Sequence, residues 1–214
     1  MMVEAVIWDF GGVLTSSPFE AFTRYERERG LPVDFIRGIN ATNPDTNAWA
    51  LFERSEVTLD EFDALFAKEA KAKGHDVGGR AVVELLSGDI RPAVVAALKA
   101  CKARVKVGCI TNNVPAGQGA GMARSADKAA AVADVMALFD HVIESSKLGI
   151  RKPDPRIYEL ACKELGVSPA NCVYLDDLGI NLKPARALGM TTIKVGDPAI
   201  AMRELEAAVG FPVG

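Results

Sequence analysis

The chain has 214 residues, 49% of them hydrophobic, enough for one sizeable core and a small accessory domain. A net charge of −3 offers no basic surface for nucleic acid, and no apolar run approaches the ~20 residues of a membrane-spanning helix. Four cysteines without paired spacing (Cys101, Cys109, Cys162, Cys172) read as free thiols of a reducing cytoplasm, and two histidines, His75 and His141, are too few for an imidazole metal site.

The chain opens Met1-Met2-Val3-Glu4-Ala5-Val6-Ile7-Trp8-Asp9. It lacks the basic start and small-residue cleavage site of a secretion signal, so the run from Val3 to Trp8 is expected to be a buried first strand ending at Asp9. From about Ser16 to Ser87 the pattern changes. Phe19, Phe22 and Tyr25, then Leu51 and Phe52, then Leu59, Phe62, Leu65 and Phe66 recur at helical spacing, with a polar loop over Asn40–Asn47 and no clear strand. This predicts a small helical domain over residues 16–87, inserted into a core made of residues 1–15 and 88–214. Trp49 and Phe52 are candidates to touch substrate, although aromatics at this spacing are more often core.

After the insert, short apolar runs alternate with helical stretches. Strands are expected over Val105–Ile110, Val142–Ile143, Cys172–Leu175 and Thr191–Val195, with helices over Pro92–Lys102, Pro155–Leu165, Leu182–Leu188 and Pro198–Val209. Proline near helix starts and glycine after helix ends (Gly166, Gly189) punctuate them. Runs this short and β-branched suit strands buried on both faces, and the alternation points to a doubly wound, parallel α/β sheet. The glycine- and alanine-rich stretch Val114–Arg124 reads as a flexible surface insertion.

Ligands of open α/β sheets bind beyond the carboxyl ends of the strands, where Asp9, Thr111-Asn112, Lys152 and Asp176-Asp177 would converge. Singly, each has an ordinary explanation: a turn residue, a helix cap or a solvated charge. Asp176-Asp177 is harder to dismiss, because adjacent carboxylates repel and need a cation or hydrogen-bond donors. Together, three acids, one lysine and hydroxyl or amide donors suit phosphoryl transfer. Oxygen ligands suit Mg²⁺, and a carboxylate can be the nucleophile.

Asp9-Phe10-Gly11-Gly12-Val13-Leu14, Ile110-Thr111-Asn112-Asn113, Lys152-Pro153-Asp154-Pro155 and Tyr174-Leu175-Asp176-Asp177 resemble, in order, the four motifs of the haloacid-dehalogenase-like hydrolases. The longer segments Ile143–Tyr158 and Leu175–Met190 are most similar to the phosphatase domain at the N-terminus of soluble epoxide hydrolase. The resemblance implies a Rossmann-like core with a helical cap and a Mg²⁺-dependent hydrolase acting on small phosphorylated metabolites through an aspartyl-phosphate. It implies Asp9 as nucleophile and metal ligand, the carbonyl of Gly11 and the carboxylate of Asp177 as further metal ligands, and Thr111 and Asn112 on the phosphoryl oxygens. Lys152 would pair with Asp9 and the phosphate, while Asp176 and Asn181 would orient the ligands. The implied partner is a small phosphorylated molecule, with neither nucleic acid nor membrane.

One position departs from the pattern. Phosphatases of this group usually carry a second Asp two residues after the nucleophile, as general acid and base, and here Gly11 stands there. A haloacid dehalogenase, whose leaving halide needs no proton, and a non-catalytic binding module of the same fold therefore stay open as alternatives.

Overall fold

A computed structural model describes residues 2–119 and 121–214. The central sheet has five parallel strands in the order β3-β2-β1-β4-β5: β1 Ala5–Trp8, β2 Lys106–Thr111, β3 His141–Glu144, β4 Cys172–Asp176 and β5 Thr191–Lys194. The three inner strands are apolar and almost wholly buried, whereas the edge strands β3 and β5 are partly exposed. The period-two alternation of strand side chains divides the core into two layers. Val6, Trp8, Val107, Cys109, Val173 and Leu175 face one side. There they meet α6 (Pro92–Lys102), α7 (Ala126–Met136) and α11 (Pro198–Val209). Ala5, Ile7, Ile110, Cys172 and Tyr174 face the other, against α9 (Pro155–Leu165) and α10 (Gly179–Ala187), the short α8 (Ser145–Leu148) directly following β3. The expected parallel α/β sheet is thus the observed one.

Between β1 and α6 run five helices: α1 (Pro18–Arg29), α2 (Phe35–Asn40), α3 (Ala48–Glu53), α4 (Leu59–Ala72) and α5 (Gly79–Val83). They pack around a third cluster that includes Phe22, Ile36, Phe52, Phe62, Phe66 and Val82. Thr58 and Glu61 form a reciprocal capping box at the start of α4, which satisfies two of its orphan amides. The chain enters and leaves this insert side by side, with Thr15 bridged antiparallel to Ile90. Phe52 is fully buried and stacks on Phe62 with 4.4 Å between ring centroids, while Trp49 meets Phe62 edge-on. Both aromatics weighed as substrate contacts therefore belong to the insert's core.

Several local expectations are corrected. Helix α7, capped by the Ser125 hydroxyl, follows the glycine-rich stretch and has no counterpart in the sequence reading, because its alanine-rich face has weak apolar contrast. The stretch before it lies at the surface over Pro115 and Gly117–Gly119, as expected, but is anchored at its two ends: Val114 and Ala123 are buried and the Val114 amide donates to Met122 Sδ. Helix α10 begins at Gly179 rather than Leu182, with Pro184 inside it, because Asp176 Oδ1 accepts from the Leu178 amide just ahead of the first turn. The four cysteines are free and buried, although folding brings Cys162 Sγ within 3.8 Å of Cys172 Sγ. His75 packs edge-on against Phe35, and His141 lies half-exposed beside Glu164. No described helix is long and apolar enough to cross a membrane.

Candidate active site

Parallel strands all end on one rim of the sheet, and the sequence candidates gather there. Asp9 follows β1, Thr111 ends β2, Asp176 ends β4 and Lys152 lies on the segment leading into α9. Lys152 is 1% exposed, and its ammonium lies 2.8 Å from Asp9 Oδ1 and 2.9 Å from Asp176 Oδ2. Burial alone would strip its proton. The two carboxylates outweigh that effect and hold its pKa above the ordinary lysine value, so the side chain is a fixed cation. Asp9 Oδ1 also accepts from the Phe10 amide, and its Oδ2 has no donor among the described residues.

Asp176 and Asp177 have different surroundings. Asp176 is fully buried and saturated: Tyr174 Oη, Lys152 Nζ, the Leu178 amide and Asn181 Nδ2 all donate to it. Tyr174 keeps its proton for this bond, because burial and the neighbouring Asp176 charge raise its pKa well above the tyrosine value. Tyr158 Oη in turn donates to the Asn181 carbonyl at 2.8 Å. Asp177 is only partly buried, and its side-chain partner is Ser17 Oγ at 3.5 Å, from the start of the insert. Burial, with the adjacent Asp176 charge, pushes the Asp177 carboxyl up to about 6. Burial is also the largest cause of the raised Asp9 pKa, opposed by Lys152.

One carboxylate oxygen from each of Asp9, Asp176 and Asp177 lies within 4.8 Å of the others. The turn Gly11-Gly12 closes over this group. Gly12 has φ +81°, and a Cβ there would collide with the Asp177 carboxylate, so only glycine fits. Gly11 is different: its φ is not in the left-handed region and a Cβ would meet nothing within 4 Å. Net negative charge on hard oxygen donors, with neither imidazole nor thiolate among them, fits a Mg²⁺-like cation.

Thr111 is buried at the tip of β2. Asn112 does something the sequence reading did not foresee. Its Oδ1 accepts from the Lys152 amide at 2.8 Å and its Nδ2 donates to the Lys152 carbonyl at 3.0 Å, so the side chain clamps the lysine's backbone. Four other residues at the site also went unread. Tyr174 had a signal, since it sits two positions before Asp176 on the same strand face. Glu53 had none, since a charge that ends an apolar run is the ordinary close of a helix. Ser17 and Tyr158 carried none.

A profile of the haloacid dehalogenase-like hydrolases matches residues 3–189. The chain belongs to this family. It is 34% identical to a phosphatase of Mycobacterium tuberculosis over 89% of this chain and 86% of that one. It is 34% identical to acyl-CoA dehydrogenase family member 10 of Mus musculus, over 98% of this chain and 19% of that one. Its identity to bifunctional epoxide hydrolase 2 of the same species is 32%, over 99% of this chain and 40% of that one. The chain thus spans well under half the length of these two mouse relatives. Among solved structures, a family enzyme of Bacteroides thetaiotaomicron, in complex with magnesium and inorganic phosphate, superposes with TM-score 0.59 at 19% identity, covering 91% of this chain and 96% of that one. An L-2-haloacid dehalogenase of Xanthobacter autotrophicus superposes with TM-score 0.62 at 19% identity, covering 97% and 83%. The fold of this hydrolase is therefore shared with both of these enzymes.

Proposed function

We propose that this hydrolase is a Mg²⁺-dependent phosphatase of small phosphorylated metabolites, with residues 16–87 as a cap over the site and Asp9 as nucleophile. The observation that carries this reading is the buried Lys152 ammonium fixed between Asp9 and Asp176 beside the under-satisfied Asp177. Lys152 and Phe10 hold Asp9 Oδ1, which leaves Oδ2 as the attacking oxygen. Its lone pair forms the Oδ2–phosphorus bond while the bond from phosphorus to the leaving oxygen breaks. Water then attacks phosphorus as the Oδ2–phosphorus bond breaks; that electron pair returns to Asp9 and restores the carboxylate, phosphate is released, and the proton lost by the water passes to solvent or to the departed alkoxide. Lys152 and Thr111 would meet the phosphoryl oxygens. A bound Mg²⁺, held by Asp9, Asp177 and the Gly11 carbonyl, would offset the charge gathered there. Asp176 and Asn181 then act by keeping Lys152 in place. The mycobacterial relative, a phosphatase aligned over most of both chains, supports the substrate class.

A second reading, a dehalogenase, is favoured by Gly11 alone, because a halide leaves without a proton. A panel of phosphate esters and 2-haloacids, assayed with and without Mg²⁺ on wild type and Asp9→Asn, separates the two. The expected result is ester hydrolysis that chelation abolishes and Mg²⁺ restores, with Asp9→Asn folded and at background. A folded Asp9→Asn protein with near wild-type hydrolysis, or full ester turnover in excess chelator, would overturn the mechanism.

A further inference from the structure

Glu53 is the last residue of α3, yet it is a buried carboxylate that joins the insert to the segment before α9. Its Oε1 accepts from Trp49 Nε1 at 2.8 Å. Its Oε2 lies 2.6 Å from Arg151 Nε and 3.4 Å from Asn112 Nδ2. These two neighbours are the residue before Lys152 and the side chain that clamps the Lys152 backbone. The Arg151 guanidinium also donates to the Pro44 carbonyl at 2.7 Å, and Ser55 Oγ, two residues beyond Glu53, donates to the Ser146 carbonyl at 2.7 Å. The insert thus grips the lysine-bearing segment through a partly buried ion pair, in which the Glu53 carboxylate is the more shielded partner and would be left uncompensated by loss of Arg151.

We propose that Glu53 is a positioning residue for Lys152: with the cap seated, its carboxylate holds Arg151 and Asn112, and through them sets the backbone that delivers the lysine to Asp9. This rests on the reading of Lys152 as the phosphoryl-binding cation. Both Glu53 oxygens are engaged by donors, which suits an ionised anchor and not a proton donor. Burial leaves the Glu53 carboxyl above its ordinary value, with Arg151, Trp49 and Lys152 offsetting only part of the rise.

The chain then has a cap-to-core relay of its own: Glu53 to Arg151 and Asn112, and these to Lys152. The test uses the full chain and the variants Glu53→Ala, Glu53→Gln, Arg151→Ala and Glu53→Ala/Arg151→Ala. Two measurements are made: hydrogen exchange at the Lys152 amide, and kcat and KM for para-nitrophenyl phosphate with Mg²⁺ across the active pH range. Misplacement of a reacting group by about 1 Å can cost ~10²-fold, so Glu53→Ala should lower kcat by about that factor and KM by much less. Exchange at Lys152 should quicken in the same variant. The double variant should be no worse than the poorer single one, because both break one contact. If Glu53→Ala fails to fold, Glu53→Gln, which keeps the Trp49 bond and loses the ion pair, carries the same expectation with a smaller fall.

Unchanged kcat and unchanged exchange in the variants overturn the proposal. So does a Glu53→Gln enzyme that loses one limb of its pH profile with wild-type exchange, since Glu53 would then be the proton donor itself. Should wild type hydrolyse no phosphate ester, the phosphatase reading falls, and the exchange measurement alone decides whether Glu53 holds the Lys152 segment.

Discussion

Two adjacent glycines at the site have opposite requirements. Gly12 is irreplaceable on steric grounds, with positive φ and the Asp177 carboxylate where a side chain would begin. Gly11 has open space and an ordinary backbone, so Asp fits where the family's phosphatases usually have one. Cleaving an alkyl phosphate releases an alkoxide, and a general acid is typically worth ~10²–10⁴-fold there. Wild-type rates should therefore fall steeply as the leaving-group pKa rises, and Gly11→Asp should flatten the dependence by raising the slow end of the series. The measurement is kcat/KM over phosphate monoesters of graded leaving-group pKa. A flat wild-type series, with chemistry limiting, would mean that another residue is the acid. The convergence of Asp9, Thr111 and Asp177 on one rim was legible because each closes a β1, β2 or β4 apolar run, and that of Lys152 from the order of the motifs. The role of Asn112 in gripping a backbone 40 residues away was not, since that contact exists only after β2 and the α9 approach come together.

At the scale of elements, the parallel strands and the helices α6, α9 and α11 were legible to the residue or nearly so. Buried strands need continuous apolar runs, and proline marked each of these helix starts. The insert was legible as helical from its spacing, yet its individual helices were not, because α2, α3 and α5 are only five or six residues long. Their order depends on packing around Phe62, which touches Phe52, Trp49 and Phe66. Phe62→Ala should cost ~3–5 kcal/mol, as truncation of a buried aromatic does, and lower the melting temperature by several degrees. Calorimetry checks this. A melting curve coincident with wild type would mean that these rings do not hold the insert together.

For the whole molecule, the concentrated negative charge at the rim sets a pH dependence. Asp177 sits near 6 and Asp9 is raised above its ordinary value of 3.8, burial being the first cause for both. A carboxylate raised in the folded state favours folding while protonated, and that contribution is lost as pH rises through the folded pKa. Without Mg²⁺, the melting temperature should therefore fall between about pH 5 and about pH 7. The depressed carboxylates Asp89, Asp140 and Asp154 act in the opposite sense, but below their ordinary value of 3.8, outside this window. Added Mg²⁺ should offset the fall at the upper end, since a cation binding only the folded state stabilises it. Thermal melts with Mg²⁺ and with chelator at both pH values check this. A metal-free protein more stable at pH 7 than at pH 5 would contradict the charge arrangement.

The strand order β3-β2-β1-β4-β5 has a consequence for biosynthesis. The strand made first is the centre of the finished sheet, and both of its neighbours are made later, β4 long after β2. As the chain emerges from the ribosome, the five helices of the insert can pack while Ala5–Trp8 still has two open edges, each a template for wrong pairing. Asp9 meets Asp176 only when β4 docks against the far edge of β1, which is also the step that closes that edge. A nascent or truncated chain ending before Cys172 therefore has the aspartate without its carboxylate partners, and the most exposed apolar strand of its life.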